Sequence, residues 1–144
     1  MGIVSLEEIT ITNLRQIEVE GGNVMHGMKK NDIGYNGFGE AYFSWVKKDN
    51  IKAWKLHERM TLNLIVPIGR IRLVFVTQSQ PENFRVEEIG SNNYSRISVP
   101  PGIWFGFMGI SNQDSLLLNI SNIIHDPTEV VKENLNYFKY QWIQ

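Results

Sequence analysis

A chain of 144 residues, 42% hydrophobic and 11% aromatic, is long enough for one domain with a real core and too short for two comfortable ones. Fourteen basic and fifteen acidic residues leave a formal charge of −1, so no field of one sign marks the chain for nucleic acid or an anionic membrane. Without cysteine it can have no disulfide scaffold, no thiolate zinc site and no cysteine nucleophile, and cytoplasmic residence fits best.

The N-terminus, MGIVSLEEITITNL, has no basic region followed by a long apolar one, and Gly2 after Met1 lacks the rest of a myristoylation signal. No stretch of the sequence approaches the length of a membrane span. Residues 9–14 alternate weakly and 15–20 continue the pattern until Gly21 and Gly22 break it. Residues 23–28 are a candidate strand, and KKNDIGYNGFG after them is loop chemistry. The aromatic run EAYFSWV, residues 40–46, predicts a strand closed by a polar turn at 47–50.

Residues 52–75, KAWKLHERMTLNLIVPIGRIRLVF, organise the chain. They read as two strands joined by a tight turn at Ile68, Gly69 and Arg70, the first strand beginning with a polar cluster and ending in an apolar run. Period-two alternation puts Trp54, Leu56 and Glu58 on one face of the first strand and Ala53, Lys55, His57 and Arg59 on the other. That second face is either solvated or the floor of a polar pocket.

After Phe75 the segment TQSQPEN predicts a loop and residues 84–89 a strand. Residues 94–99 alternate cleanly, stop at Pro100 and Pro101, and restart after Gly102 as IWFGFMGI. Residues 116–120 predict an apolar strand, 127–134 a short helix capped by Asp126, and 137–142 a last strand. About ten short strands with Gly, Pro and Asn turns between them predict an all-β antiparallel jelly roll. No repeat, low-complexity tract or linker marks a boundary, so residues 1–144 are expected to form a single domain.

Only three histidines can carry imidazole chemistry. His26 has no titratable neighbour on its strand face and reads as an ordinary half-buried histidine. His57 sits at the centre of the charged face, three residues after Trp54. His125 lies where an apolar strand ends, directly before Asp126, a position that also suits a plain turn residue. A β-barrel metal centre commonly places two histidines one residue apart, but here the residue two after His57 is Arg59, and the later turn carries Phe105 where a ligand would stand. No metal or other cofactor is expected. No Gly-rich phosphate loop or serine elbow appears either.

The pieces LHERMTLNLIVPIGRIRLV, PPGIWFGF and NISNIIHDPTEV, in that order and spacing, resemble the metal-free cupins typified by dTDP-4-dehydrorhamnose 3,5-epimerase. The family pattern runs Arg-Gly-Leu-His, a strand, a Gly turn, Pro-x-Gly-x-x-His-Gly-Phe, then Tyr-x-Pro-x-x-Glu before a closing Trp. The resemblance covers roughly residues 38–142 and implies a cupin-type jelly roll that dimerises by sharing strands around a site for a nucleotide-linked 4-ketosugar. It implies that His57 removes the proton α to the ketone, and that His125, at the position of the family's acidic Tyr, returns one. The family's Arg falls on Trp54, its strand Lys on Leu62, and the His of His-Gly-Phe on Phe105. The carboxylate that partners the catalytic His falls near Leu135, where Glu133, Asn134 and Asn136 are at hand.

Epimerisation beside a ketone needs a base, a donor to the enolate oxygen and an acid on the other face. His57 suits the base, Lys55 or Arg59 the electrostatic partner, and His125 the acid. Asn63 and Asn119 are expected to bind substrate, and Tyr35, Phe38, Tyr42 or Trp104 to stack on a base or sugar. The expected protein is an epimerase or isomerase of nucleotide-sugar metabolism; the alternative is a non-catalytic cupin that binds a sugar or partners a sugar-modifying enzyme.

Overall fold

Short runs of β-branched and aromatic residues, each cut by Gly, Pro or Asn, leave the chain little choice but strands that bury one face. The computed structural model describes residues 3–143, so Met1, Gly2 and Gln144, and with them the myristoylation position, lie outside the described residues. Its strands are β1 (Thr10–Asn13), β2 (Gln16–Ile17), β3 (Val24–Met25), β4 (Glu40–Val46), β5 (Ile51–His57), β6 (Leu62–Ile68), β7 (Arg70–Thr77), β8 (Gln80–Gly90), β9 (Ser95–Val99), β10 (Trp104–Gly109), β11 (Ser115–Ser121) and β12 (Val130–Lys132). Two five-stranded sheets, ordered β1-β9-β6-β11-β4 and β12-β5-β10-β7-β8, form the jelly roll, and β2 pairs with β3 in a small ribbon. The ladders within these sheets are antiparallel.

The core lies between the two sheets. Leu62, Leu64 and Val66 of β6 alternate inward to meet Ile71, Leu73 and Phe75 of β7, Ile97 of β9, Phe105 of β10 and Leu117 of β11. Burial of each such side chain contributes roughly 1.5–3 kcal/mol, and together they hold the sheets face to face. The turn from β6 to β7 crosses between the sheets at Gly69, whose φ is +83° and whose added Cβ would strike Ser115.

Residues 52–67 are not one strand. β5 ends at His57 in the second sheet and β6 starts at Leu62 in the first, so the chain bends between layers at residues 58–61. Side chains from far along the chain satisfy the backbone of this corner. Glu129 Oε1 accepts the amides of Arg59 at 3.0 Å and Met60 at 2.9 Å, and Asn122 Oδ1 accepts that of Thr61 at 2.8 Å.

Three other expectations are corrected. Residues 127–134 form a turn followed by β12, and the only helical turn nearby is the 3-10 segment Leu135–Tyr137. The loop expected at 77–83 shrinks to a turn at Gln78 and Ser79; Pro81 is tolerated inside β8 because that strand is a sheet edge. Residues 137–142 alternate without belonging to a ladder. They lie as an unpaired strap on the outer face of the second sheet, where Phe138 and Trp142 pack with Trp54, Val74, Val76, Trp104 and Met108.

Candidate active site

The two sheets separate at one end around a cavity of about 430 Å³. Alternation decides its walls. Tyr42 and Ser44 reach it from β4, Lys55 and His57 from β5, Leu64 from β6, Phe105 and Phe107 from β10, Leu117 and Asn119 from β11, and Lys132 from β12. Lys55 and His57 therefore share the inward face, as the period of the sequence predicts. Arg59 does not join them: the strand has ended, and its side chain, 56% exposed, turns outward to pair with Asp126 at 2.5 Å.

His57 is 7% exposed and its ring stacks on Phe105, with centroids 6.1 Å apart and planes 20° from parallel. Its Nδ1 donates to Glu129 Oε2 at 2.5 Å, a contact that fixes the tautomer and leaves Nε2 as the nitrogen able to accept a proton. Glu129 is 1% exposed. Burial pushes its carboxyl up, but the hydrogen bonds from His57 and from the amides of Arg59 and Met60 outweigh that and hold it below the usual glutamate value. For His57 burial is the largest influence and pushes its pKa below the ordinary histidine value; the bond to Glu129 and that carboxylate's charge push back, while Lys55 and His125 add to the lowering. The imidazole is thus neutral at pH 7, aimed and free to act as a base.

Glu129 escapes the sequence reading, which looks for the partner carboxylate near Leu135. The available signal is weak: Glu129 follows Pro127 by two residues, one short of the Pro-x-x-Glu spacing of the family pattern, and β12 then pairs Val130 directly with His57.

On the opposite wall Tyr42 and Asn119 are cross-strand partners, and Asn119 Nδ2 donates to Tyr42 Oη at 3.0 Å. The bond fixes where the Tyr42 hydroxyl stands on this wall, across the cavity from His57. His125 is exposed and is not on the cavity wall; its backbone amide donates to Glu40 at 2.8 Å.

Four other expected contacts lie elsewhere. Asn63 faces out of the first sheet, donating to Gly34 O at 3.0 Å and accepting from Ser98 at 2.5 Å. Tyr35 belongs to the loop that Asn63 and the buried Arg96 fasten over that face; Arg96 donates to Gly27 O and Ile33 O. Phe38 is 63% exposed and off the wall. Trp104 is 4% exposed in the strap layer, with its Nε1 donating to Gln78 at 3.1 Å, because β10 sends Phe105 inward and so sends Trp104 out. Among the described residues no three His, Asp or Glu side chains gather as metal ligands, and no helix is long and apolar enough to cross a membrane.

No protein-family model matches the chain. A crystal structure of a dTDP sugar isomerase from Desulfovibrio desulfuricans G20 superposes with a TM-score of 0.88 at 31% identity, over 94% of this chain and 91% of that one. The chain belongs to the family of this dTDP sugar isomerase. The same fold is seen in the sugar 3,4-ketoisomerase QdtA from Thermoanaerobacterium thermosaccharolyticum, solved in complex with TDP, which superposes with a TM-score of 0.76 at 17% identity over 93% of each chain. A curated relative, the probable low-salt glycan biosynthesis epimerase Agl13 of Haloferax volcanii, is 28% identical over 105 residues. That match spans 67% of this chain but less than two thirds of the relative, 65% of its length. Against the family's sequence pattern, Phe105 at the position of a histidine makes sense here, since it is the ring against which His57 lies.

Proposed function

We propose that the protein is a nucleotide-sugar epimerase or ketoisomerase that moves a proton at carbon beside the ketone of a 4-keto-6-deoxy nucleotide sugar. The observation that carries this reading is the buried pair of His57 and Glu129 at the base of a cavity large enough for a hexose.

His57 Nε2 takes the α-proton, and Glu129 stabilises the imidazolium that results. Lys55, on the same inward face, supplies positive charge to the enolate oxygen. The proton that completes the reaction comes from the opposite wall. Tyr42, held by Asn119, is better sited for this than the exposed His125. Delivery to the carbon on its far face inverts that centre; delivery to the former carbonyl carbon, with the proton of the neighbouring hydroxyl passing to the former carbonyl oxygen through the enediolate, moves the ketone by one position. Both outcomes start from the same enolate, and neither requires a metal or a redox cofactor.

The protein works as a cytoplasmic homodimer, in the synthesis of deoxysugars for polysaccharide. Support for the dimer is the edge strand β4, whose outward Phe43 and Trp45 are 62% and 57% exposed. Light scattering that returns a monomer mass at micromolar concentration would contradict this.

The functional test is incubation with TDP-4-keto-6-deoxyglucose followed by NMR of the sugar. A new epimer or a shifted ketone is expected. Tight binding with the sugar unchanged would favour the non-catalytic cupin.

A further inference from the structure

Glu129 holds one edge of the His57 imidazole, but a ring held by one edge can still swing about that bond. What stops it stands on the neighbouring strand. Phe105 of β10 is directly opposite Lys55 in the ladder with β5, so His57, two residues further along β5, is its diagonal neighbour on the inward face. The two rings lie 6.1 Å apart between centroids and 20° from parallel, and both residues are buried. Phe105 has little room to move aside. β10 is the middle strand of its sheet, and Phe75 of β7 is opposite Phe105 on the other side. The next residue, Gly106, brings β10 so close to β5 that an added Cβ would lie 2.5 Å from the Cβ of Ala53. The Phe105 ring belongs both to the hydrophobic core and to the cavity wall, and so forms the partition between them beside the base.

The ring brings no charge of its own. Glu129, from the turn before β12, bonds to His57; Lys55 acts on it from its own strand, and His125 from off the cavity wall. Lys52 of β5, Tyr42 of β4, Lys132 of β12 and Glu133 complete the ionisable lining of the cavity, whereas β10 contributes only Phe105 and Phe107.

We propose that Phe105 is a positioning residue for the base: its ring covers one face of the His57 imidazole, keeping water from that face and holding the ring plane, so that the proton is taken through Nε2 in one orientation. This rests on the reading of His57 as the base. Two neighbours then divide the task, Glu129 fixing the tautomer and Phe105 the plane, both from rigid elements. They also act on the proton affinity in opposite directions. Burial, to which the Phe105 ring contributes, is the largest influence on His57 and lowers its pKa, while the bond to Glu129 raises it.

The experiment is an NMR titration of the histidine side chains in the intact protein, with the His57 signals assigned by their loss in His57→Asn, beside Phe105→Leu and Phe107→Leu. It needs no substrate. Phe107 lines the same cavity from the same strand, opposite Lys52, so its truncation controls for a loosened wall. Wild-type His57 is expected to titrate below 6.5, Phe105→Leu to move it up towards that value as water reaches the ring, and Phe107→Leu to leave it in place. With TDP-4-keto-6-deoxyglucose, Phe105→Leu should also lower kcat by about tenfold or more, with a smaller change in KM, at a pH high enough that His57 is neutral in both proteins. Should Phe105→Leu not fold, Phe105→Met serves the same comparison. An unmoved His57 titration in the Phe105 variant, whatever its melting temperature, reduces Phe105 to a core residue and overturns the proposal. An equal shift in Phe107→Leu, or an unchanged kcat in the Phe105 variant, does the same. Wild-type turnover with either of those results would leave the enzyme standing without the partition; the expected titrations with no turnover by the wild type would support the shielding of His57 and sink the epimerase reading.

Discussion

The base of the cavity and its mouth follow opposite electrostatic rules. At the base, His57 and Glu129 are buried, bonded to each other, and tied through Glu129 Oε1 to the backbone at the corner between the sheets. At the mouth, Lys52 and Lys132 are exposed, and with Lys55 they repel one another without a carboxylate to answer them. A charge that is fully satisfied by its own protein can position a neighbour but has little left for a ligand. One that is left unsatisfied at a cavity rim is available. The contrast separates groups that the protein itself satisfies from groups that it leaves open, and variants can test where that division falls.

The largest effect is expected from His57→Asn, which should lower kcat/KM by about 10²- to 10⁴-fold while dTDP affinity changes little. If dTDP binding collapses with it, the base and the mouth are not separate.

Glu129→Gln comes next, at about 10²-fold in rate, because an amide can donate to Nδ1 and leave the imidazole in the wrong tautomer. It also gives up charge-assisted acceptance by a buried carboxylate, about 1–3 kcal/mol of stability, which denaturant titration reads. The pH profile supplies the sharper sign. His57 is held below its ordinary value of 6.5, so wild-type activity should persist to below pH 6.5 and fall as the pH drops through the folded-state pKa. Glu129 raises that pKa, so in Glu129→Gln the acid limb should move to still lower pH. Folding follows the same linkage: below about pH 6.5 the unfolded chain binds a proton at this site that the folded one resists, so this group's contribution to stability declines as the pH falls. An acid limb that moves up in Glu129→Gln would refute the assigned role.

Tyr42→Phe should reduce product formation by about tenfold to 10²-fold with a melting temperature close to wild type, since its hydroxyl is at the partly exposed cavity edge. His125→Asn should be the smallest, within about threefold, as expected of an exposed side chain off the cavity wall. Were their order reversed, the acid would be His125 and the proposed division of the walls would need redrawing.

Much of this fold is legible in the sequence, for reasons that also show where legibility stops. β4, β6, β7, β9, β10 and β11 announce themselves through alternation between Gly, Pro and Asn turns, and His57 through the polar face around it. Glu129 is 72 residues from its partner, in a turn whose Asp126 and Pro127 look like the start of a helix; no local pattern reports a contact of that range. Trp104 was ambiguous for a different reason. Alternation says that Trp104 and Phe105 face opposite ways, but both directions are apolar, because the strap of Phe138 and Trp142 covers the outer face as the opposite sheet covers the inner one. Arg59 falls outside the site because alternation carries no information about where β5 ends, and the corner at residues 58–61 becomes visible only once Glu129 and Asn122 are seen to cap its amides.

The central claim is that His57 lifts the proton beside the ketone and that a group on the other wall returns one. Proton NMR of TDP-4-keto-6-deoxyglucose in D₂O, with wild type, His57→Asn and Tyr42→Phe compared at equal concentration, addresses it most directly. The account predicts deuterium at a carbon flanking the ketone with the wild type, retained exchange without new product in Tyr42→Phe, and no exchange above background in His57→Asn. Exchange by His57→Asn at the wild-type rate, or none by the wild type with the nucleotide sugar bound, would contradict it.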